Sequence, residues 1–301
     1  MSQITAIVTT HNAAKTLSDC LKSLSFVDEI IVLDMESTDE TRGIARKFHT
    51  KVISIPPAEY VELVRNTSVK EGTKPWILLV DPDETIPDQL QQKLLSLVDD
   101  THAQISAYKI ARKNLVFGTW IQHSGWWPDY QIRFFKRGAV SWSGVIHEQP
   151  SVNGAVGVID ASSELAIEHT NYSSLDEYFQ RMMRYTQAEV GDKSSKSLTK
   201  INSDQLFLAF FNDFFRRYYQ DEGYLDGLHG TSLALLQSLY QVTTALRIWE
   251  KQQFPYSANT VTDSTINQVI SDWKYWQASK MSLQTKGLKK AFWLLRKKLR
   301  F

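Results

Sequence analysis

A single cysteine, Cys20, leaves this chain without an internal disulfide framework and without a cysteine-rich zinc site. A lone thiol fits a reducing compartment. Long hydrophobic runs are missing too: none approaches the ~20 residues that a membrane-spanning helix needs. The opening "MSQITAIVTTHN" has no basic n-region and no extended apolar h-region, so no secretory signal is expected and the cytoplasm is the expected compartment. No internal repeat is visible. A net charge of +1 argues against general nucleic-acid binding.

What remains is an ordinary soluble composition. Hydrophobic residues make up 43% and charged residues 22% of 301 positions, enough for one large or two modest domains. The charge is unevenly spread. Lys286 to Arg300 carries seven Lys or Arg and no acid, so the rest of the chain sums to −6 (+1 minus +7). Such a tail suggests a local anionic partner.

The first hundred residues alternate strand and helix signals. "QITAIVTT", "EIIVLD", "KVISI" and "WILLV" are apolar and largely β-branched, and helical spacing fills the intervals between them. Ser37 and Glu40 have the spacing of a capping box. Four buried strands with helical crossovers predict an α/β fold built on a mostly parallel, doubly wound, Rossmann-like sheet. Ligands of such sheets bind beyond the carboxyl ends of the strands. Three polar clusters fall there, at Thr9 to Asn12, Asp34 to Asp39 and Asp81 to Asp83, which predicts a single site.

From about Tyr108 to His169 shorter, aromatic-rich strand patterns predict an antiparallel extension of the sheet. Beyond Tyr172 the chain reads as helical, strongest in "SLDEYFQRMMRYTQAEV", "DQLFLAFFNDFFRRYYQ" and "GTSLALLQSLYQVTTALRIWEK". "GDKSSKS" (191 to 197) is the linker candidate. The expected division is therefore a catalytic domain over residues 1–190 and a helical region over 191–301.

Asp81 and Asp83 have the spacing and hardness to hold Mg²⁺ or Mn²⁺ between carboxylates and substrate phosphates, with Pro82 fixing the turn. An acidic turn capping the next helix would need the same residues. "LLVDPDET" also fits haloacid-dehalogenase-type phosphatases, in which Asp81 would be a phosphorylated nucleophile. Against that, three strands precede a motif that should open its domain, and the expected downstream acidic pair is missing. A non-catalytic nucleotide-sugar-binding membrane adaptor is a further alternative.

Taken together, the clusters resemble family-2 glycosyltransferases of the GT-A fold. "TTHN" stands where that family ends its first strand, "LDMESTDET" where the second strand ends in Asp followed by Ser-Thr-Asp, and "VRN" (64 to 66) where a helix carries Ala-Arg-Asn or similar. An Asp-X-Asp then follows the next strand. "KNLVFGTWIQHSGWWPDYQIRFFKRG", "GVIHE" and "HTNYSSLDEYFQRMMRYT" look like the bacterial branch that adds glucose to the inner core of lipopolysaccharide or lipooligosaccharide, and "GYLDGLHG" is similar to its helical region. His11, Glu36 and Pro82 depart from the commoner residues.

The resemblance implies an inverting, UDP-sugar-dependent glycosyltransferase that uses a divalent metal, with a lipid-linked oligosaccharide acceptor. It implies Asp129 as the catalytic base. Thr9, Thr10, Asn12, Asp34, Arg65, Asp81 and Asp83 are implied in nucleotide-sugar binding, and Asp83 with His147 in metal binding. Trp126, Trp127 and Glu148 are the acceptor candidates. The two tryptophans also suit a core, and His147 also suits a satisfied buried histidine.

The tail "TKGLKKAFWLLRKKLRF" spaces Leu288, Phe292, Leu295 and Leu299 as one helical face, with cations opposite. Phe292, Trp293, Lys289, Lys290, Arg296 and Lys297 are its candidate contacts with an anionic membrane surface. The expected location is peripheral, on the inner face of the cytoplasmic membrane. A helix packed on the protein, with an ordinary solvated face, is the other reading.

Overall fold

A computed structural model describes residues 3–58, 61–99, 104–143, 149–191 and 200–300, the side chain of Glu62 apart. Two compact units divide the chain: Met1–Trp120 with Trp127–Asn171, and Ile121–Trp126 with Tyr172–Phe301.

In the first unit the expected alternation is present as β1 (Ile4–Thr10), α1 (Leu17–Ser23), β2 (Glu29–Asp34), α2 (Thr41–Lys47), β3 (Lys51–Ser54), α3 (Glu62–Ser68) and β4 (Trp76–Val80). A two-residue β5 (Glu84–Thr85) and α4 (Asp88–Asp99) follow. The rest of the unit comprises β6 (Ile105–Val116), β7 (Thr119–Trp120), β8 (Asp129–Lys136), β9 (Val140–Ser141), β10 (Ser151–Val152), β11 (Ala155–Val158) and β12 (Ile167–Tyr172), in which the expected antiparallel pairing has one exception, β11 lying parallel to β6.

The main sheet runs in the order β3-β2-β1-β4-β8-β6-β12-β5. β1 lies parallel to both β2 and β4, and β3 parallel to β2, whereas β8 pairs antiparallel with β4 and β6. All residues of β1 and β4 are buried, as strands covered on both faces require. One face packs Ile4, Ala6, Val8, Leu78 and Val80 against Leu17, Leu21, Leu90 and Leu94 of the helices. The other buries Ile7, Ile31, Leu33, Ile77, Leu79 and Phe135 with Trp142. Trp76 of β4 stacks on Phe134 of β8 at 4.6 Å, joining the parallel and antiparallel halves.

The capping box expected at Ser37 and Glu40 does not form. Glu40 is itself the N-cap of α2 and makes no side-chain capping bond. Ser37 Oγ instead accepts from the backbone N–H of Asn12, a contact between neighbouring loops that local spacing does not reveal. A reciprocal capping box occurs elsewhere, between Asn202 and Gln205.

The second unit holds α5 (Leu175–Gly191), α6 (Ser203–Phe215), α7 (Gly227–Lys251), α8 (Asp263–Gln284) and α9 (Gly287–Leu299). α7 packs on α5 and α6, α8 on α6, and α9 on α8. The sequence reading passed over α8, whose apolar residues are interleaved with polar ones. In "GYLDGLHG", Gly230 brings the first turn of α7 against the Gly223 carbonyl, where a Cβ would collide with main chain. Asp226 in the same segment accepts from the backbone N–H groups of Gln122 and His123 and from the His123 ring, tying 121–126 into this unit. Residues 192–199, which hold nearly all of the linker candidate, lie outside the described residues.

Candidate active site

The parallel register places Thr10 opposite Asp34 and Asp34 opposite Ser54, so three polar side chains line one edge of the sheet. The loops beyond β1 and β2 clasp each other there. Asn12, in a left-handed conformation that asparagine tolerates, accepts the Thr38 N–H through Oδ1 at 2.8 Å. The His11 ring bonds the Met35 carbonyl at 2.7 Å. Asp34 is fully buried. Its Oδ2 accepts from Arg42 Nε and from the Ser37 N–H, while Oδ1 has no partner. The hydroxyl of Thr10, its register neighbour, is likewise buried and unpartnered. Two adjacent orphaned polar atoms in a native core call for a ligand or a water. Thr9, also buried, has its hydroxyl 3.4 Å from that of Ser68 on α3.

Val8 pairs with Val80, so Asp81 begins one residue beyond the end of the β1–β4 ladder. Its two carboxylate oxygens are both taken by guanidiniums, Oδ1 by Arg65 at 3.5 Å and Oδ2 by Arg133. Burial pushes the Asp81 carboxyl up, but Arg133 and Arg65 outweigh it and hold the group well below the usual carboxylate range. A carboxylate held this way at both oxygens is a poor nucleophile, which sets aside the phosphatase alternative.

These contacts belong to a ladder of alternating charge that the sequence reading missed. Arg112 Nη2 lies 2.6 Å from Asp129 and its Nη1 3.6 Å from Glu84. Glu84 meets Arg133 at 2.9 Å, and Arg133 meets Asp81. Three carboxylates and three guanidiniums thus alternate from Asp129 to Arg65. Buried Glu84 is pushed above its ordinary value, chiefly by desolvation, with Arg133 opposing. The signal for this ladder was present in period-2 spacing. Arg112 and Asn114 share a face of β6, and Asp129, Gln131 and Arg133 share a face of β8, with Arg112 directly opposite Asp129.

Asp129 is asymmetric. Oδ2 receives Arg112 Nε at 2.8 Å, Arg112 Nη2 at 2.6 Å and Asn114 Nδ2 at 3.1 Å, whereas Oδ1 receives Gln131 Nε2 at 2.9 Å. Burial raises its pKa; Arg112 and the two amides more than reverse that and keep it below the ordinary range.

Asp83 faces His169 of β12, whose Nε2 is 3.6 Å away. The chain reaches this position because β12 pairs with β5, setting His169 opposite Glu84, and because the Thr170 N–H donates to the Asp83 carbonyl at 2.9 Å. Among the described residues no group of three or more His, Cys, Asp or Glu converges on a metal position. An oxygen donor and a nitrogen donor facing each other nevertheless fit Mg²⁺ or Mn²⁺, which take their remaining ligands from phosphates and water. His147 and Glu148 lie outside the described residues.

Trp127 belongs to the first unit, edge-on to Trp120 at 5.1 Å. Trp126 belongs to the second, edge-on to Tyr172 at 6.4 Å. In the tail, Leu288, Phe292, Leu295 and Leu299 are each at least half exposed. Lys297 bonds Ser279 of α8 at 3.0 Å and Arg300 pairs with Asp272 at 3.0 Å, so part of the basic face is turned onto α8. Lys289 and Lys290 are exposed, while Trp293 and Arg296 are half-buried.

The model of glycosyl transferase family 2 matches residues 5–156, half of the chain. The chain belongs to glycosyl transferase family 2. Its matched span carries Asp34, Arg65, Asp81, Asp83 and Asp129. Among curated relatives, an uncharacterized glycosyltransferase of Rickettsia felis is 36% identical over 95 residues, 31% of this chain and 33% of that protein. The chain spans about a third of the length of the rickettsial relatives it matches. The lipopolysaccharide core biosynthesis glycosyltransferase LpsC of Rhizobium meliloti is 22% identical over 255 residues, covering 82% of this chain and 92% of that one. Among solved structures, S. aureus TarS 1–349 superposes with a TM-score of 0.42 at 14% identity, over 86% of this chain and 94% of that chain. In this family-2 enzyme the α/β class and the helix-flanked, Rossmann-like sheet are as the sequence predicted.

Proposed function

We propose that this family-2 glycosyltransferase moves a sugar, glucose on the resemblance of its motifs, from a UDP-sugar to an inner-core heptose of a lipid-linked oligosaccharide, with inversion, at the cytoplasmic membrane face. The observation that carries this reading is the sorting of three carboxylates at one sheet edge. Asp34 keeps an unpartnered buried oxygen beside the Thr10 hydroxyl, Asp83 opposes the His169 ring, and Asp129 has one heavily bonded and one lightly bonded oxygen. The likeness to LpsC, which extends over most of both chains, supports the acceptor class.

Each state suits one task. The free Asp34 oxygen and the Thr10 hydroxyl suit a nucleoside edge. Arg65, over the Trp142 ring at 5.9 Å, suits a phosphate-bearing donor. Asp83 and His169 would hold a divalent metal, which when bound offsets the charge that develops on the departing diphosphate. Asp129 Oδ1 accepts the proton of the acceptor hydroxyl as that oxygen attacks the anomeric carbon. The bond to UDP breaks on the opposite face, and UDP leaves with the bonding electrons.

UDP should bind at least about tenfold more tightly with Mn²⁺ than without, and Asp83→Ala should abolish the difference. Titration calorimetry with UDP in the presence and absence of Mn²⁺ reads this directly. An unchanged metal dependence in the variant would remove Asp83 from the role.

For the membrane, the occupant of the open face of α9 is an anionic lipid surface. Five large apolar side chains of α9 are exposed, Leu288, Phe292, Leu294, Leu295 and Leu299, and so are Lys289, Lys290 and Lys298. Each cation near such a surface contributes about 1 kcal/mol. Leu295→Asp with Phe292→Asp should release the protein from phosphatidylglycerol vesicles in a sedimentation assay while leaving UDP binding intact. Undiminished sedimentation would make α9 an ordinary surface helix. No helix among the described residues is long and apolar enough to cross a membrane.

A further inference from the structure

We propose that Asn114 is a positioning residue that fixes the proton arrangement of His169 and the orientation of Asp129 through one side-chain amide. The inference rests on the transferase reading above for its consequence, but not for its geometry.

Asn114 lies on β6 with no solvent exposure. Its Nδ2 is 3.1 Å from Asp129 Oδ2, and its Oδ1 is 2.7 Å from His169 Nδ1. An ionised carboxylate only accepts hydrogen bonds, so the Asn114 NH₂ must face Asp129. The amide oxygen is thereby committed to the other side, where it accepts from the imidazole, so the His169 proton resides on Nδ1. The amide of Asn171, at 3.5 Å from the same oxygen, reinforces that polarity. With Nδ1 committed to Asn114, Nε2 is the ring nitrogen that faces Asp83, 3.6 Å away. When the ring is neutral the two are opposed acceptors, an arrangement that a cation between them satisfies. With the opposite tautomer, Nε2–H would point at Asp83 and fill that position with a hydrogen bond.

One residue therefore ties the proposed base to the proposed metal-facing pair. Asp129, Asn114, His169 and Asp83 form a continuous line through β8, β6 and β12 and into the turn after β4. Three different donors already converge on Asp129 Oδ2, Asn114 among them, which leaves Oδ1 as the oxygen able to take a proton.

The test uses full-length protein labelled with ¹⁵N-histidine. Long-range ¹H–¹⁵N correlation of the wild type should show His169 protonated on Nδ1. Asn114→Leu should shift it toward Nε2–H, weaken Mn²⁺ binding in the presence of UDP by roughly 10- to 100-fold and lower kcat by a similar factor. Asn114→Asp separates the two ends: it keeps an acceptor for Nδ1–H, so the Nδ1 proton stays. It also sets a second carboxylate against Asp129, so an acid limb in the pH profile of kcat/KM should move upward. A wild-type His169 without a proton on Nδ1 overturns the proposal, as does an unchanged proton arrangement in Asn114→Leu. If Asn114→Leu fails to fold, the wild-type spectrum and Asn114→Asp decide it. Absence of sugar transfer by the wild type would instead refute the transferase reading and leave the tautomer result standing.

Discussion

With Asp129 as the proposed base, Asp129→Asn should retain UDP-sugar binding and lower transfer by about 10²- to 10⁴-fold, the range for loss of a general base. The variant has the same shape, and its surroundings dictate how it sits. Arg112 and Asn114 aim three N–H donors at the Oδ2 position, so the amide oxygen of the new residue must occupy it. The NH₂ is forced into the Oδ1 position, where it donates and has no lone pair for the acceptor proton. Calorimetry with the UDP-sugar and a radiolabelled transfer assay separate the two effects, and full transfer by the variant would remove Asp129 as the base. The pH behaviour of the wild type follows from the same contacts. Burial raises the Asp129 pKa and Arg112 with the amides more than reverses it, so the folded value is depressed. A depressed carboxylate keeps its basic form until the pH falls through that value. Transfer should therefore show no acid limb from this group above about pH 4, the ordinary carboxylate value.

Arg133→Met should destabilise the fold by about 3–5 kcal/mol at neutral pH. Arg133 is buried on β8 and holds Asp81 and Glu84 at once. Desolvation pushes its pKa down, but those two carboxylates raise it further, so it stays charged. Methionine fills the volume and leaves two buried carboxylates to Arg65 at 3.5 Å and Arg112 at 3.6 Å. The deficit should depend on pH with a definite sign. Without Arg133, burial is opposed at Asp81 by Arg65 and Arg112 and at Glu84 by Arg112 and His169, so both carboxylates should titrate higher than in the wild type. A carboxylate whose folded-state pKa is raised loses stability relative to the wild type as pH rises toward that value. The variant should therefore be closest to wild type near pH 4 and fall further behind toward pH 8. Denaturant unfolding across that range checks it. Asp81→Asn added to Arg133→Met should recover part of the loss, since it removes one of the stranded charges. A neutral-pH loss below about 1 kcal/mol would mean that the ladder carries little of the stability.

The parallel half of the fold was legible because its signals are local. Strands buried on both faces are continuous apolar runs, and their carboxyl ends are marked by the first polar residues after each run. Thr10, Asp34, Asp81 and Asp83 were therefore visible as site candidates. Asp129 was visible through its motif, at the start of a strand that runs antiparallel to β4 and so begins where β4 ends. The capping box at Ser37 and Glu40 misled, because a loop 25 positions away in sequence uses Ser37 first.

His169 shows the other limit. The sequence reading named His147 for the metal, and nothing near His169 marked it as a partner of Asp83. The two meet because a two-residue strand, too short to carry a pattern, captures β12 directly after the Asp-X-Asp turn. Arg112, Asn114 and Arg133 carried only their period-2 spacing, which looks like a solvated face until the neighbouring strand is known.

By itself, then, the amino-acid sequence determined the class of the sheet, the edge that carries the candidate site and the carboxylates that stand there, because strand period and strand ends are properties of consecutive residues. Tertiary structure alone decided what each carboxylate can do. Asp81 is bound by guanidiniums, Asp34 keeps an unpartnered oxygen, Asp83 faces an imidazole and Asp129 has one heavily and one lightly bonded oxygen. Those states depend on which distant strands become neighbours, and in a buried site the neighbours set charge, proton and hydrogen-bond direction.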